Sequence, residues 1–121
     1  MATVILKRCH EYDAARLQAL LGEAMESLDL PALRPGANVL LKPNLLMRRE
    51  PDTTHPAVVE ALARLLAERG CRVTIADSPG GPFTAGLLRG LYESTGMQAA
   101  ARRAGAELNF STESADEKFS S

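Results

Sequence analysis

The sequence predicts an α/β fold: a three-layer, Rossmann-like arrangement with a mostly parallel sheet of about four strands and flanking helices. Three observations predict it. Short apolar runs alternate with stretches whose apolar residues recur at helical spacing. The run at residues 39–41 is apolar without alternation, as expected for a strand covered on both faces. Glycine and proline punctuate the junctions between these segments. With 121 residues, the chain can build one compact domain with one core.

Taken in order, residues 3–6 (Thr-Val-Ile-Leu) form a β-branched run and read as the first strand. Asp13 is placed to cap a helix. Behind it Leu17, Leu20, Leu21, Ala24, Met25 and Leu28 mark one helical face. Pro31, Pro35 and Gly36 end that helix, and the second strand follows at 39–41. After a polar loop, Thr54 or His55 caps a second helix, with Pro56 in its first turn. Val58, Val59, Leu62, Leu65 and Leu66 are its predicted buried face, while Glu60, Arg64 and Glu68 are assigned to the solvent side. Gly70 stops it. Residues 72–76 form the third strand. Phe83, Leu87, Leu88 and Leu91 mark a third helix, interrupted by Gly86 and Gly90. A short helix at 97–104 and a fourth strand at 107–110 complete an α/β domain over 1–110. The polar tail at 111–121 lacks periodicity and reads as disordered or as an element cut from its partners. The domain is therefore expected to be the N-terminal part of a longer protein.

Composition narrows the function. The formal net charge is −1 and no basic cluster is long enough for a nucleic-acid surface. Trp is absent, so base-stacking platforms are not expected. No apolar stretch approaches membrane-spanning length and the N-terminus lacks a signal-peptide layout, so a cytoplasmic protein with no membrane partner is expected. Cys9 and Cys71 belong to no C-x-x-C pair, and no metal site is expected within this segment.

Chemistry concentrates where strands end. In open α/β sheets, ligands bind outside the carboxyl ends of the strands. The second strand delivers Lys42 and Asn44 there, and the third delivers Asp77 and Ser78 followed by Gly80 and Gly81. His55 opens the helix that follows the second strand. Each has a plain structural role available. Lys42 can be a solvated charge, Asn44 an Asx turn, His55 a helix cap and Asp77 a turn cap. Together they suggest recognition of a small anion. Lys42 would supply charge, the second helix would supply free N–H groups at its N-terminus, and Gly80-Gly81 would allow close backbone approach. Asp77 can alternatively accept hydrogen bonds from a hydroxyl, and His55 can serve as a general base or ligand. No G-x-G-x-x-G, Walker-type or nucleophile-elbow motif occurs, so no catalytic residue is assigned.

The motifs Val39-Leu-Leu-Lys-Pro-Asn-Leu45, Thr54-His-Pro56 and Asp77-Ser-Pro-Gly-Gly81, with Thr95-Gly96 beyond them, resemble the domain-of-unknown-function family catalogued as 362. Many members look like iron–sulfur proteins with ferredoxin-type clusters held downstream of this region. The resemblance implies an N-terminal scaffold of a redox protein with a redox partner, its iron–sulfur cofactor lying in the full-length protein. The alternative is part of a non-redox enzyme that binds a phosphorylated or carboxylated metabolite at the same sheet edge.

Overall fold

The computed structural model describes residues 3–28, 30–44, 54–76 and 85–110. Its elements run α1 (Ala14–Ser27), β1 (Asn38–Leu41), α2 (Pro56–Glu68), β2 (Arg72–Ile75), α3 (Ala85–Ser94), α4 (Met97–Ala104) and β3 (Glu107–Leu108). The strands form a parallel three-stranded sheet in the order β1-β2-β3. Val39 lies opposite Val73, Leu41 opposite Ile75, and Ile75 opposite Leu108. The α/β class predicted from alternation is therefore the class observed.

The helices begin and end for local reasons. Asp13 has extended backbone and accepts the Arg16 N–H at 2.9 Å, which satisfies one orphan donor of α1. Pro56 occupies the first turn of α2, where its missing N–H costs nothing. Gly70 leaves α2 at φ +84° and its N–H returns to the Ala67 carbonyl at 2.9 Å. Gly96 and Gly105, both left-handed, bracket α4.

The core fills one side of the sheet. By register Val39, Leu41, Val73, Ile75 and Leu108 share one face of the sheet, and all pack into the two apolar clusters beneath the helices. Ile75, Leu88, Met97 and Tyr92 are the largest fully buried side chains. The opposite parity is different: Asn38, Leu40 and Arg72 are exposed, Leu40 by 64%, and Thr74 is only partly covered. Among the described residues the molecule thus has two layers, not the three expected. The apolar run at 39–41 suggested cover on both faces, but of Asn38, Leu40, Arg72 and Thr74 only Leu40 is apolar.

Two further expectations change. Residues 3–6 are not in the sheet, and Val4 and Leu6 are 80% and 90% exposed. Glu60, assigned from its i,i+4 partner to the solvent side of α2, is buried. The reason is position: α2 packs against α1, against α4 and against the sheet, so little of its circumference meets water. The Glu60 carboxylate takes Arg103 Nε from α4 at 2.7 Å and Arg64 from its own helix at 3.2 Å. Those two guanidiniums replace the water that a buried carboxylate loses.

Candidate functional site

The carboxyl edge of the sheet is assembled by backbone pairing. Ala76 donates its N–H to the Leu41 carbonyl at 3.0 Å, so β1 and β2 end side by side. Lys42, buried Pro43 and Asn44 follow β1. Asn44 and Thr54 then form a reciprocal clamp. The Asn44 N–H donates to Thr54 Oγ1 at 2.8 Å, and the Thr54 N–H donates to the Asn44 carbonyl at 2.8 Å. This pair holds the exit of β1 against the entry of α2. Lys42, Asn44 and His55 therefore share one edge. Asp77, Ser78, Gly80 and Gly81 lie outside the described residues.

His55 has a definite role in this geometry. Its Nδ1 accepts the Ala57 N–H at 3.1 Å, capping α2. An accepting Nδ1 leaves the proton of the neutral ring on Nε2, which is then a donor. In this arrangement Nδ1 is taken by the cap and Nε2 is the ring's hydrogen-bond donor. The ring is also covered by Tyr12, with centroids 3.7 Å apart and planes 5° from parallel. Stacking restrains the imidazole in its capping orientation. Tyr12 was not singled out from sequence. The signal available was its place immediately before the Asp13 cap, because alternating strands and helices put successive helix N-termini at the same sheet edge.

The expectation that α2 offers free N–H groups to an anion is overturned. Pro56 has none, Ala57 is bonded to the His55 ring, and Val58 donates to the His55 carbonyl at 3.1 Å. The helix still contributes the partial positive charge of its aligned peptides. The side-chain donors at this edge are His55 Nε2, the Asn44 amide and the Lys42 ammonium.

A cleft of about 310 Å³ lies at the other end of the sheet, framed by Gly36, Gly70, Cys71, Arg72, Gly105 and Glu107. It contains none of the strand-end candidates. Its walls are the turns that lead into the three strands, and its size reflects the helix-to-strand junctions. The carboxyl edge is where strand ends, helix N-termini and polar side chains converge, so the cleft does not displace it as the candidate site.

The described residues contain no group of three or more His, Cys, Asp or Glu placed to hold a metal ion. An iron–sulfur cluster needs four protein ligands, usually thiolates. The chain has two cysteines, and buried Cys71 directs its thiol to the Arg34 carbonyl at 3.6 Å. The chain's own residues therefore do not fit such a cluster. No described helix is long and apolar enough to cross a membrane.

Comparison with known proteins decides the family. The model of the family described as domain of unknown function (DUF362) matches residues 39–121. The chain belongs to the DUF362 family. The match takes in the strand-end motifs, the clamp and the His55 cap. A curated relative, thylakoid-associated protein sll1697 of Synechocystis sp., is 38% identical over 99 residues, covering 78% of this chain and 30% of that protein. This DUF362 chain thus spans less than a third of the length of the curated relative it matches. No solved structure matches it.

Proposed function

We propose that this DUF362 chain is the α/β scaffold and small-anion-binding domain of a longer redox protein whose iron–sulfur clusters are held by sequence outside these 121 residues. The observation that carries the binding reading is the Asn44–Thr54 clamp, which joins the Lys42–Asn44 strand exit to the capped start of α2. A phosphate or carboxylate at this edge meets one full positive charge, the His55 Nε2–H and the positive end of α2. Asp77, Ser78, Gly80 and Gly81, which follow β2 in sequence, are further proposed members of the site. The redox reading rests on what the motif resemblance implies, and the greater length of the relative leaves room for a further segment. We place the protein in the cytoplasm with a redox partner.

The second reading keeps the site and changes the chemistry: an enzyme acting on a phosphorylated or carboxylated metabolite without redox centres. The engaged Nδ1 of His55 favours binding over proton abstraction at that residue.

Two experiments separate these readings. Titration of the ¹⁵N-labelled protein with inorganic phosphate and with acetate should shift the Asn44 and Ala57 amides, and Lys42→Ala should weaken the response several-fold. Equal responses from wild type and Lys42→Ala sink the site. Full-length protein purified without oxygen should show the broad visible absorbance of iron–sulfur clusters, with repeated C-x-x-C-x-x-C runs downstream in the gene. Absence of both removes the redox reading and leaves the metabolite enzyme.

A further inference from the structure

The stacked rings at the carboxyl edge narrow the ligand class, on the reading that this edge binds an anion. We propose that Tyr12 is a specificity-determining residue: its outer face takes the planar base of a nucleoside phosphate whose phosphate lies at His55 and Lys42. The Tyr12 ring lies flat on the imidazole, with centroids 3.7 Å apart and planes 5° from parallel. That contact uses one face of the phenol. The residue is nevertheless 62% exposed, so its other face meets solvent. An aromatic face open to water and held in a fixed plane is a stacking surface for another π system.

Both rings are anchored through the backbone. Tyr12 immediately precedes Asp13, whose carboxylate caps α1 by accepting the Arg16 N–H at 2.9 Å. His55 caps α2 through Nδ1. Each ring is thus tied to a helix N-terminus, and α1 packs against α2. The outer phenol face keeps its position without help from a ligand, so stacking on it freezes little additional motion. The cap requires only the Nδ1 lone pair of His55, and the exposed aromatic face is surplus to it.

The stack sets the dimensions of the ligand. The Nε2–H bond of His55 lies in the imidazole plane, so an anion bound to it lies near that plane. A ring stacked on the outer phenol face lies two stacking steps away, about 7 Å from the imidazole plane. Anion and ring must then be joined by a spacer of several bonds. Inorganic phosphate fills one end only, and an aryl phosphate or benzoate holds its charge too close to its ring. A nucleoside monophosphate carries the three parts in order: phosphate, sugar and planar base. The scarcity of aromatic residues argues against a platform for single-stranded nucleic acid, which stacks successive bases along a basic groove. A mononucleotide needs one ring and one anion site.

The test is NMR titration of the complete chain with inorganic phosphate, ribose 5-phosphate and adenosine 5′-monophosphate, for wild type, Tyr12→Phe and Tyr12→Ala. The nucleotide should bind at least about tenfold more tightly than ribose 5-phosphate in wild type and in Tyr12→Phe, and Tyr12→Ala should lose that difference. The Tyr12 ring protons should shift upfield with the nucleotide alone. Equal affinities for the nucleotide and ribose 5-phosphate in wild type, or an advantage that survives in Tyr12→Ala, overturn the proposal and leave the anion site standing. A Tyr12 that only steadies His55 weakens all three ligands equally on truncation, and that result also overturns it. Response to none of the three removes the anion site and this inference with it. If Tyr12→Ala fails to fold, the wild-type affinities and ring-proton shifts decide.

Discussion

Removing the Glu60 carboxylate tests the account of how α2 and α4 are held together. Its side chain is 11% exposed, and it bridges Arg103 on α4 at 2.7 Å and Arg64 on α2 at 3.2 Å. Exposed ion pairs contribute about 0–1 kcal/mol, and breaking fully buried ones costs about 3–5 kcal/mol. Here the carboxylate is buried while the two arginines are 56% and 43% exposed, so they can turn to water when it is removed. Glu60→Ala should therefore fall between the limits, at about 2 kcal/mol. For a chain of this size that corresponds to a melting temperature lower by about 8 °C. Arg103→Ala should cost about 1 kcal/mol, because Arg64 still pairs with the carboxylate. Urea denaturation of the two single variants and the double variant gives the coupling, expected near 1 kcal/mol. Glu68→Ala is the control, since Glu68 is exposed and accepts a hydrogen bond from Gln18 Nε2 at 3.0 Å. If Glu60→Ala and Glu68→Ala differ by less than about 0.5 kcal/mol, or the coupling is zero, the bridge does not hold the two helices.

Three other outcomes follow from local geometry. His55→Ala removes the cap on Ala57 and should cost about 1 kcal/mol, while His55→Asn, which caps equally well, should recover most of it by urea denaturation. Gly70→Ala should cost more than Gly36→Ala. Both residues have positive φ, but a Cβ at Gly70 would sit 3.1 Å from Pro35 Cβ and 3.2 Å from its Cα, while one at Gly36 meets nothing within 4 Å. The left-handed strain alone is about 1–2 kcal/mol and is common to both, so thermal melts should rank Gly70→Ala lower. Tyr92→Phe deletes the hydroxyl that donates to the Asn109 carbonyl at 2.7 Å, and about 1–3 kcal/mol of stability should be lost. If Tyr92→Phe melts with wild type, that bond is not what fixes β3 to α3.

Much of the architecture was legible because its determinants are local. Asp13 and His55 cap the helices predicted for them, Gly70 ends α2, and the helix at 97–104 falls where its flanking glycines put it. The site was legible in part. Lys42, Asn44 and His55 do reach one edge, because parallel strands must end together. The capping role of His55 was legible, but the Tyr12 ring on its face was not, because that depends on where α1 lands beside α2.

The sequence by itself determined the α/β class, the helix boundaries, the family and the edge at which to look, since propensity, capping and apolar period act within a few residues. Tertiary structure alone decided the burial of Glu60, the bare face around Leu40 and the loss of free N–H donors at α2. Each of these depends on which surface packs against which, and residues distant in the chain settle that. A four-residue spacing cannot tell a solvated Glu–Arg pair from one pressed against a neighbouring helix.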